Sequence, residues 1–203
     1  MFANWLVKAA IRFQVRKAYA SGFDLDGWRT FMRGLGMFAR IPKGITVETF
    51  NFGSIRGIHF YPGDPVQNCA AVYFHGGFYV GGRPHDYREM VARLSCECNC
   101  PIYAVDYRLA PENPFPAAVE DARAAFAHIN SIYDRTAILG DSAGAGLAMA
   151  AMRADSVSAR PVAGVLLSPM VDLTLSGRSI EERAGRDPLF RRQALESAVS
   201  MYL

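Results

Sequence analysis

The sequence lacks an apolar run long enough to cross a bilayer, and it has little excess charge of either sign. A transmembrane helix needs about 20 apolar residues, whereas Lys8, Arg12, Arg16 and Lys17 interrupt the N-terminal segment MFANWLVKAAIRFQVRKAYA. This segment also lacks the apolar core and cleavage site of a signal peptide. The net charge of +3 is spread along the chain, which disfavours nucleic acid as a partner. These absences favour a cytoplasmic protein without stable membrane insertion.

Cysteine is also scarce, with four residues in 203. Three of them, Cys96, Cys98 and Cys100, lie in the segment SCECNC. Their spacing of one residue differs from the spacing of about two to four residues that is usual in zinc sites, and no histidine follows nearby. We therefore predict no metal site, and reduced thiols where a helix meets a strand.

The N-terminal region is predicted to be helical. Residues 2–20 have the apolar spacing of an amphipathic helix, and Lys8, Arg12 and Arg16 form a basic stripe on it. We interpret this as a helix that covers the core and keeps a solvated basic side, with a membrane-surface role as the open alternative. A second short helix is predicted in LDGWRTFMRGLGMFAR.

After Pro42 the pattern changes to short strands and helices. The segments ITVETFNFG and IRGIHFYPG alternate apolar and polar residues around a Gly-Ser turn, which predicts a hairpin. The runs AAVYFH, PIYAVDY, TAILGD and VAGVLLSP are typical of strands buried on both faces of a parallel sheet. Helical stretches separate these runs. The alternation predicts one α/β domain with a doubly wound, mostly parallel sheet.

The segment GDSAG, Gly140 to Gly144, follows one of these apolar runs and opens a helix rich in small residues. A serine in a tight strand–turn–helix is the arrangement of a nucleophile elbow, in which the hydroxyl of Ser142 projects above the sheet. Small flanking residues are needed because the strand and the helix approach closely. Alone, the same pattern also fits an ordinary helix cap after a turn.

The segment YFHGGFYVGG, residues 73–82, lies at the carboxyl end of another predicted strand. Glycines there allow backbone N–H groups to turn inward, where they and the N–H of Ala143 can hold an oxyanion. The alternative is a glycine-rich loop that serves only as a turn. A third segment, VDYRLAPENPFPAAVED, holds Asp106 and Arg108, for which we expect an ion pair that fixes the loop.

Three segments in this order resemble the hormone-sensitive-lipase-like family of α/β-hydrolase esterases. They are HGGF at His75 to Phe78, DYRLAPE at Asp106 to Glu112, and GDSAG at Gly140 to Gly144, and SPMVDLT after the next strand also fits. The resemblance implies an α/β-hydrolase fold in which residues 1–41 are cap helices and residues 42–203 form the core. Within the latter range, residues 178–203 would be a further part of the cap.

The resemblance implies that Ser142 attacks an ester carbonyl. It implies that the oxyanion hole is built from the N–H groups of Gly76, Gly77, Phe78 and Ala143. Phe78 stands at the third glycine position of the family's pattern, and it keeps its backbone N–H. We expect its ring, together with Tyr79, to crowd the acyl pocket and favour small acyl groups. No cofactor or metal is implied, because backbone N–H groups stabilise the negative charge that develops on the ester oxygen.

The sequence does not contain a histidine after Ser142. A serine hydroxyl needs a base, and in this fold the order along the chain is serine, acid, histidine; the four histidines here are His59, His75, His85 and His128. We therefore expect this sequence to be part of a longer esterase whose last strands, acid and histidine follow Leu203. Asp172 is a substitute acid without a histidine, so we expect the chain as given to be inactive.

The resulting hypothesis is a carboxylic ester hydrolase that forms a serine acyl-enzyme on short-chain or small aromatic esters. One alternative is a non-catalytic protein that binds a small molecule in the same pocket. Another is a formamidase or amidase, because HGGFY is close to a motif of that group, although DYRLAPE argues against it. The oligomeric state is open.

Overall fold

The computed structural model describes residues 23–153, 160–184, 186–187 and 191–203. The helix predicted in residues 2–20, with its basic stripe, lies outside the described residues. The elements in chain order are α1 (Leu25–Leu35), β1 (Ile45–Phe52), β2 (Ile55–Pro62), β3 (Cys69–Phe74), a 3-10 helix (Pro84–Tyr87), α2 (Arg88–Cys98), β4 (Ile102–Val105), α3 (Ala117–Ile132), β5 (Arg135–Asp141), α4 (Ala143–Met152), β6 (Ala163–Leu167), α5 (Ser179–Glu182) and α6 (Arg192–Tyr202).

The strands form a six-stranded sheet in the order β1-β2-β4-β3-β5-β6. Strands β4, β3, β5 and β6 are parallel to one another, and the hairpin β1–β2 is antiparallel. Strand β3 is central: Ala71 lies opposite Ile102 of β4 and opposite Ala137 of β5. The predicted hairpin and the mostly parallel sheet are thus confirmed.

Helices cover both faces of this sheet, as a doubly wound topology requires. On one face, Val72 and Phe74 belong to a core cluster with Phe126 of α3 and Leu147 of α4. On the other face, Tyr73 and its neighbours pack with Val91 of α2. Burial of apolar side chains on both faces accounts for the nearly continuous apolar runs in the sequence.

Strand β6 is the last strand of the described sheet, and it is more exposed than β3. The side chains of Val165 and Leu167 are 45% and 44% exposed. Such an edge presents unpaired backbone groups beside apolar side chains, which favours pairing with another chain. Among the described residues, no helix has both the length and the apolarity to span a membrane.

Helix α1 confirms the second predicted helix, although it ends at Leu35. Its N-cap is Asp24, whose carboxylate accepts the N–H of Gly27 at 3.0 Å. The guanidinium of Arg29 donates to the carbonyl of Val80 at 2.8 Å and to both carboxylate oxygens of Glu112 at 2.6 Å. These bonds hold α1 against the loop after β3 and the DYRLAPE segment.

The expected ion pair between Asp106 and Arg108 is wrong. Arg108 donates from Nη2 to Asp121 at 2.8 Å and to Glu120 at 3.1 Å, so it ties the loop to α3. Asp106 accepts from Arg56 at 3.1 Å, which ties the end of β4 to the hairpin. Asp106 and Arg108 both fix the loop as expected, but they do so through partners on other elements and not through each other.

Candidate active site

Ser142 occupies a strained turn between β5 and α4. Its φ is 50° and its ψ is −118°, a conformation that costs a residue other than glycine about 1–3 kcal/mol. Such strain persists only where the surrounding structure enforces it, and it is the expected geometry of a nucleophile elbow.

Two glycines allow this turn to close. A Cβ at Gly140 would overlap the carbonyl oxygen of Gly144, and a Cβ at Gly144 would overlap the carbonyl oxygen of Phe74. Strand β5, helix α4 and the end of β3 therefore meet with no space for a side chain. The spacing of glycines in GDSAG follows directly from this close approach.

The turn after β6 lies against the same serine. The N–H of Ser142 donates to the carbonyl of Leu167 at 2.9 Å, and the N–H of Met170 donates to the carbonyl of Ser142 at 3.0 Å. Within the described part of the chain, no residue makes a hydrogen bond to the Ser142 hydroxyl, and Ser142 lines a cavity. The hydroxyl is thus presented to the cavity by a fixed backbone.

The loop after β3 brings two positive-φ residues next to a glycine. Gly77 has a φ of 130°, and Phe78 and Tyr79 have φ values of 61° and 65°. The carbonyl of Gly77 accepts the N–H groups of Val80 at 3.2 Å and Gly81 at 3.0 Å. Because the peptide is planar and trans, the N–H of Phe78 points the opposite way. Within the described residues, no acceptor takes the N–H of Gly77 or of Ala143.

The N–H of Gly76 already has a partner. It donates to the carboxylate of Asp141 at 2.9 Å, and the hydroxyl of Tyr73 donates to the same oxygen at 2.5 Å. Burial raises the pKa of Asp141, while these two hydrogen bonds act in the opposite direction. In this structure the N–H of Gly76 ties the loop to the elbow, and the role of Gly76 as an oxyanion donor stays a prediction.

The buried ring of His75 is neutral and contacts the backbone of the loop after β3. Its Nδ1 lies 2.8 Å from the carbonyl oxygen of Gly76, and its ring stacks on Tyr107 at a centroid distance of 4.3 Å. Complete burial lowers the pKa of His75 to about 4, so the ring donates from Nδ1 without carrying a charge. The hydroxyl of Tyr107 donates to the His75 carbonyl at 2.7 Å.

The cavity that contains Ser142 has a volume of about 490 Å³, and residues of the β6 turn, α5 and α6 line its other side. Phe78 also lines it, and its ring packs on Trp28 at a centroid distance of 4.9 Å. Tyr79 does not line the cavity: its ring stacks on Tyr202 at 4.1 Å, and its hydroxyl donates to the carbonyl of Met170 at 3.0 Å. The expectation that Tyr79 crowds the pocket is thus wrong for this cavity.

None of the four histidines, all of them among the described residues, lines the cavity. The ring of His59 stacks on Tyr103 at a centroid distance of 4.1 Å, and the ring of His128 packs against Phe52 at 4.2 Å with the planes tilted by 34°. His85 is in the 3-10 helix, and His75 is buried in the loop that follows β3. The structure therefore brings Ser142 and Phe78 to the wall of one cavity that no histidine lines.

Asp172 is engaged in its own turn. Its carboxylate accepts from the hydroxyl of Thr174 at 2.5 Å and from the hydroxyl of Ser176 at 2.7 Å. These hydroxyl groups, Thr174 first, lower the pKa of Asp172 to about 2. Within the described ranges, no group of three or more histidine, cysteine, aspartate or glutamate side chains is placed to hold a metal ion.

Comparison with known proteins identifies the family to which this chain belongs. Residues 71–203 match the family model described as alpha/beta hydrolase fold. An esterase of the bacterial hormone-sensitive lipase family is 30% identical with a TM-score of 0.82, and the alignment covers 97% of this chain and 68% of that one. A hormone-sensitive lipase from a metagenome library is 34% identical with a TM-score of 0.84, covering 97% of this chain and 67% of that one. The chain belongs to the α/β hydrolases, and within them to the hormone-sensitive lipase family.

Among curated relatives, an acetyl-hydrolase of Streptomyces hygroscopicus is 39% identical over 137 residues. The alignment covers 65% of this chain and 46% of that protein. The chain therefore spans less than half of this relative and about two thirds of the solved esterases.

Proposed function

We propose that this chain carries the nucleophile and the oxyanion hole of a carboxylesterase-type serine hydrolase. The hydroxyl of Ser142 attacks the ester carbonyl and forms an acyl-enzyme that water then hydrolyses. The N–H groups of Gly77, Phe78 and Ala143 hold the oxyanion, helped by the positive end of α4. The observation that carries the proposal is the strained Ser142 elbow, whose hydroxyl faces a cavity beside this loop.

Two observations support short-chain or small aromatic esters as the substrate class. The relatives include an acetyl-hydrolase and esterases. In addition, the ring of Phe78 forms part of the cavity wall and is 2% exposed, held in place by Trp28. A wall that cannot move aside limits the length of an acyl group, so we expect acetyl esters to react faster than long-chain esters.

The proposed reaction needs a base to accept the proton of the Ser142 hydroxyl, and no histidine lines the described cavity. Because His59, His75, His85 and His128 all lie elsewhere, we assign the base to a histidine of the full-length protein that follows these residues, in the family order of serine, acid and histidine. The 203-residue chain alone should then show no Ser142-dependent hydrolysis of p-nitrophenyl acetate, since nothing removes the hydroxyl proton.

The test is covalent labelling of the full-length protein with a fluorophosphonate ester, followed by peptide mapping. Ser142→Ala should abolish labelling and reduce hydrolysis by several orders of magnitude. Ser168→Ala is the matched control, because Ser168 lines the same cavity at a similar φ of 47°, and it should leave labelling intact. Undiminished hydrolysis by Ser142→Ala would remove the nucleophile assignment. Saturable ester binding without turnover in the wild type would favour the binding-protein alternative.

A further inference from the structure

Two free thiols lie side by side at the end of the sheet where the central strands β3 and β4 begin. The Sγ atoms of Cys69 and Cys100 are 3.6 Å apart, and both residues are unbridged and partly exposed. Cys69 is the first residue of β3, and Cys100 lies two residues before β4. Since Ala71 faces Ile102 in the parallel pairing, the same register carried back by two residues places Cys69 opposite Cys100.

The backbone holds this pair in place independently of the sulfur atoms. The N–H of Cys100 donates to the carbonyl of Ser95 at 3.1 Å, and the buried hydroxyl of Ser95 donates to the carbonyl of Cys100 at 2.8 Å. The next residue, Pro101, accepts the N–H of Ala71 at 2.8 Å. Neighbouring strands are about 4.8 Å apart, which lies within the Cα separation of about 4.4–6.8 Å that a disulfide spans.

We propose that Cys69 and Cys100 form an oxidisable pair that hydrogen peroxide converts into a disulfide joining β3 to the start of β4. In the first step, the Cys69 sulfur takes one oxygen atom from peroxide, giving a sulfenic acid and one water. In the second, the Cys100 sulfur displaces that hydroxyl group, forming the S–S bond and a second water. Two thiols lose two hydrogens, and one peroxide is reduced to two waters.

The pH dependence of the closing step follows from the surroundings of Cys100. Burial is the main cause that raises the pKa of the Cys100 thiol to about 12. A protonated thiol is a slow nucleophile, so the closing attack by Cys100 should accelerate as the pH rises. Cys96 and Cys98 are exposed on the last turn of α2 and are the competing thiols.

The disulfide should stabilise the sheet without acting as an activity switch. Cys69 and Cys100 lie where the parallel strands begin, whereas Ser142 and the oxyanion loop follow the opposite ends of β5 and β3. A bridge between the beginnings of these two strands closes a loop of the unfolded chain between residues 69 and 100 and lowers the entropy of the unfolded chain. We expect the midpoint of thermal unfolding to rise by about 5 °C.

The experiment uses a Cys96→Ser/Cys98→Ser variant of the full protein, so that Cys100 is the one cysteine in the tryptic peptide of residues 94–108. The folded variant is treated with hydrogen peroxide, remaining thiols are blocked, and the digest is analysed without reductant. We expect the peptide of residues 57–88, which contains Cys69, to be joined to it, with the mass of two hydrogens lost. Reduction should release both peptides.

Controls separate the built pair from random oxidation. Cys69→Ser and Cys100→Ser, each added to that variant, should abolish both the cross-linked peptide and the rise in the unfolding midpoint. The proposal is overturned if the cross-link does not form, or if it forms no faster in the folded variant than in urea. It is also overturned if the wild type instead joins Cys100 to Cys96 or Cys98.

Discussion

Two serines follow neighbouring parallel strands and line the same cavity, yet their surroundings differ. Ser142 follows β5 with a φ of 50°, and Ser168 follows β6 with a φ of 47°. Helix α4 begins directly after Ser142, whereas Ser168 is exposed and is followed by Pro169 in a segment without a helix. A positive φ next to a cavity is thus common to both serines, and the helix N-terminus distinguishes them.

The two turns also differ in what supports them. The turn at Ser142 is closed by Gly144, which packs against the Phe74 carbonyl, and the carboxylate of Asp141 accepts the N–H of Gly76 in the loop after β3. The turn after β6 is attached through backbone hydrogen bonds to Ser142 and through the hydroxyl of Tyr79. The comparison shows that the turn at Ser142 is supported by close backbone packing and by the loop after β3, whereas the turn after β6 is attached through a few hydrogen bonds.

The largest effect is expected from adding one methyl group at the elbow. Gly144→Ala places a Cβ on the carbonyl oxygen of Phe74, so the strand and helix must separate, and we expect a loss of about 4 kcal/mol or more of unfolding free energy. Gly164→Ala in β6 is the matched control, because its Cβ would lie 3.1 Å from the flexible side chain of Met152. It should cost less than about 1 kcal/mol, measured by urea denaturation. Equal losses would show that the elbow is not specially close-packed.

The second prediction concerns the donors of the oxyanion loop. Gly77→Val should lower kcat of the full-length protein by about 10²–10³-fold, equivalent to about 3 kcal/mol, while KM changes little. A Cβ at Gly77 would overlap the carbonyl oxygen of Gly81, and the φ of 130° disfavours a β-branched residue.

Gly44→Val is the control for the backbone strain, because Gly44 also has a positive φ and open space around it. It should leave kcat unchanged. A rise in KM with unchanged kcat in Gly77→Val would count against an oxyanion role for this loop.

The sequence predicted those features of the site that depend on residues close together in the chain, and it missed those that depend on contacts between distant residues. The elbow was predictable because Gly140 and Gly144 report a close approach within five residues. The hydrogen bond from the Gly76 N–H to Asp141 was not predictable, because it joins the loop after β3 to the last residue of β5, 65 residues away, and depends on how the two strands align. The same holds for Arg108, whose partner was expected beside it and lies on α3.

The third prediction concerns pH, which protonates His75 in the loop beside the elbow but leaves the carboxylate of Asp172 in the turn after β6 ionised. The pKa of His75 is about 4 in the folded protein against 6.5 ordinarily, so the unfolded chain binds the proton first. The protonation of His75 therefore leaves the free energy of unfolding unchanged above pH 6.5. As the pH falls toward 4, it lowers the free energy of unfolding by up to about 3 kcal/mol. Over that range Asp172 in the β6 turn stays ionised, because its pKa is about 2.

The measurement is urea denaturation of wild type and His75→Phe at several values of pH. The difference in unfolding free energy between the two proteins should shrink by up to about 3 kcal/mol from pH 7 to pH 4. A constant difference across this range would mean that His75 takes up its proton equally in the folded and unfolded states.

The smallest effect is expected where the oxyanion loop reaches the turn after β6. Tyr79→Phe removes the donor to the Met170 carbonyl, a bond of 3.0 Å, while the stacking of the ring on Tyr202 is kept. Burial raises the pKa of Tyr79, so the hydroxyl is a neutral donor at ordinary pH, and its loss should cost about 1 kcal/mol of unfolding free energy. Tyr61→Phe is the control, because Tyr61 is 38% exposed, and it should stay within about 0.5 kcal/mol of wild type. An equal, negligible loss in both would show that water replaces the Tyr79 hydroxyl, and that the β6 turn depends on Ser142 alone for its position.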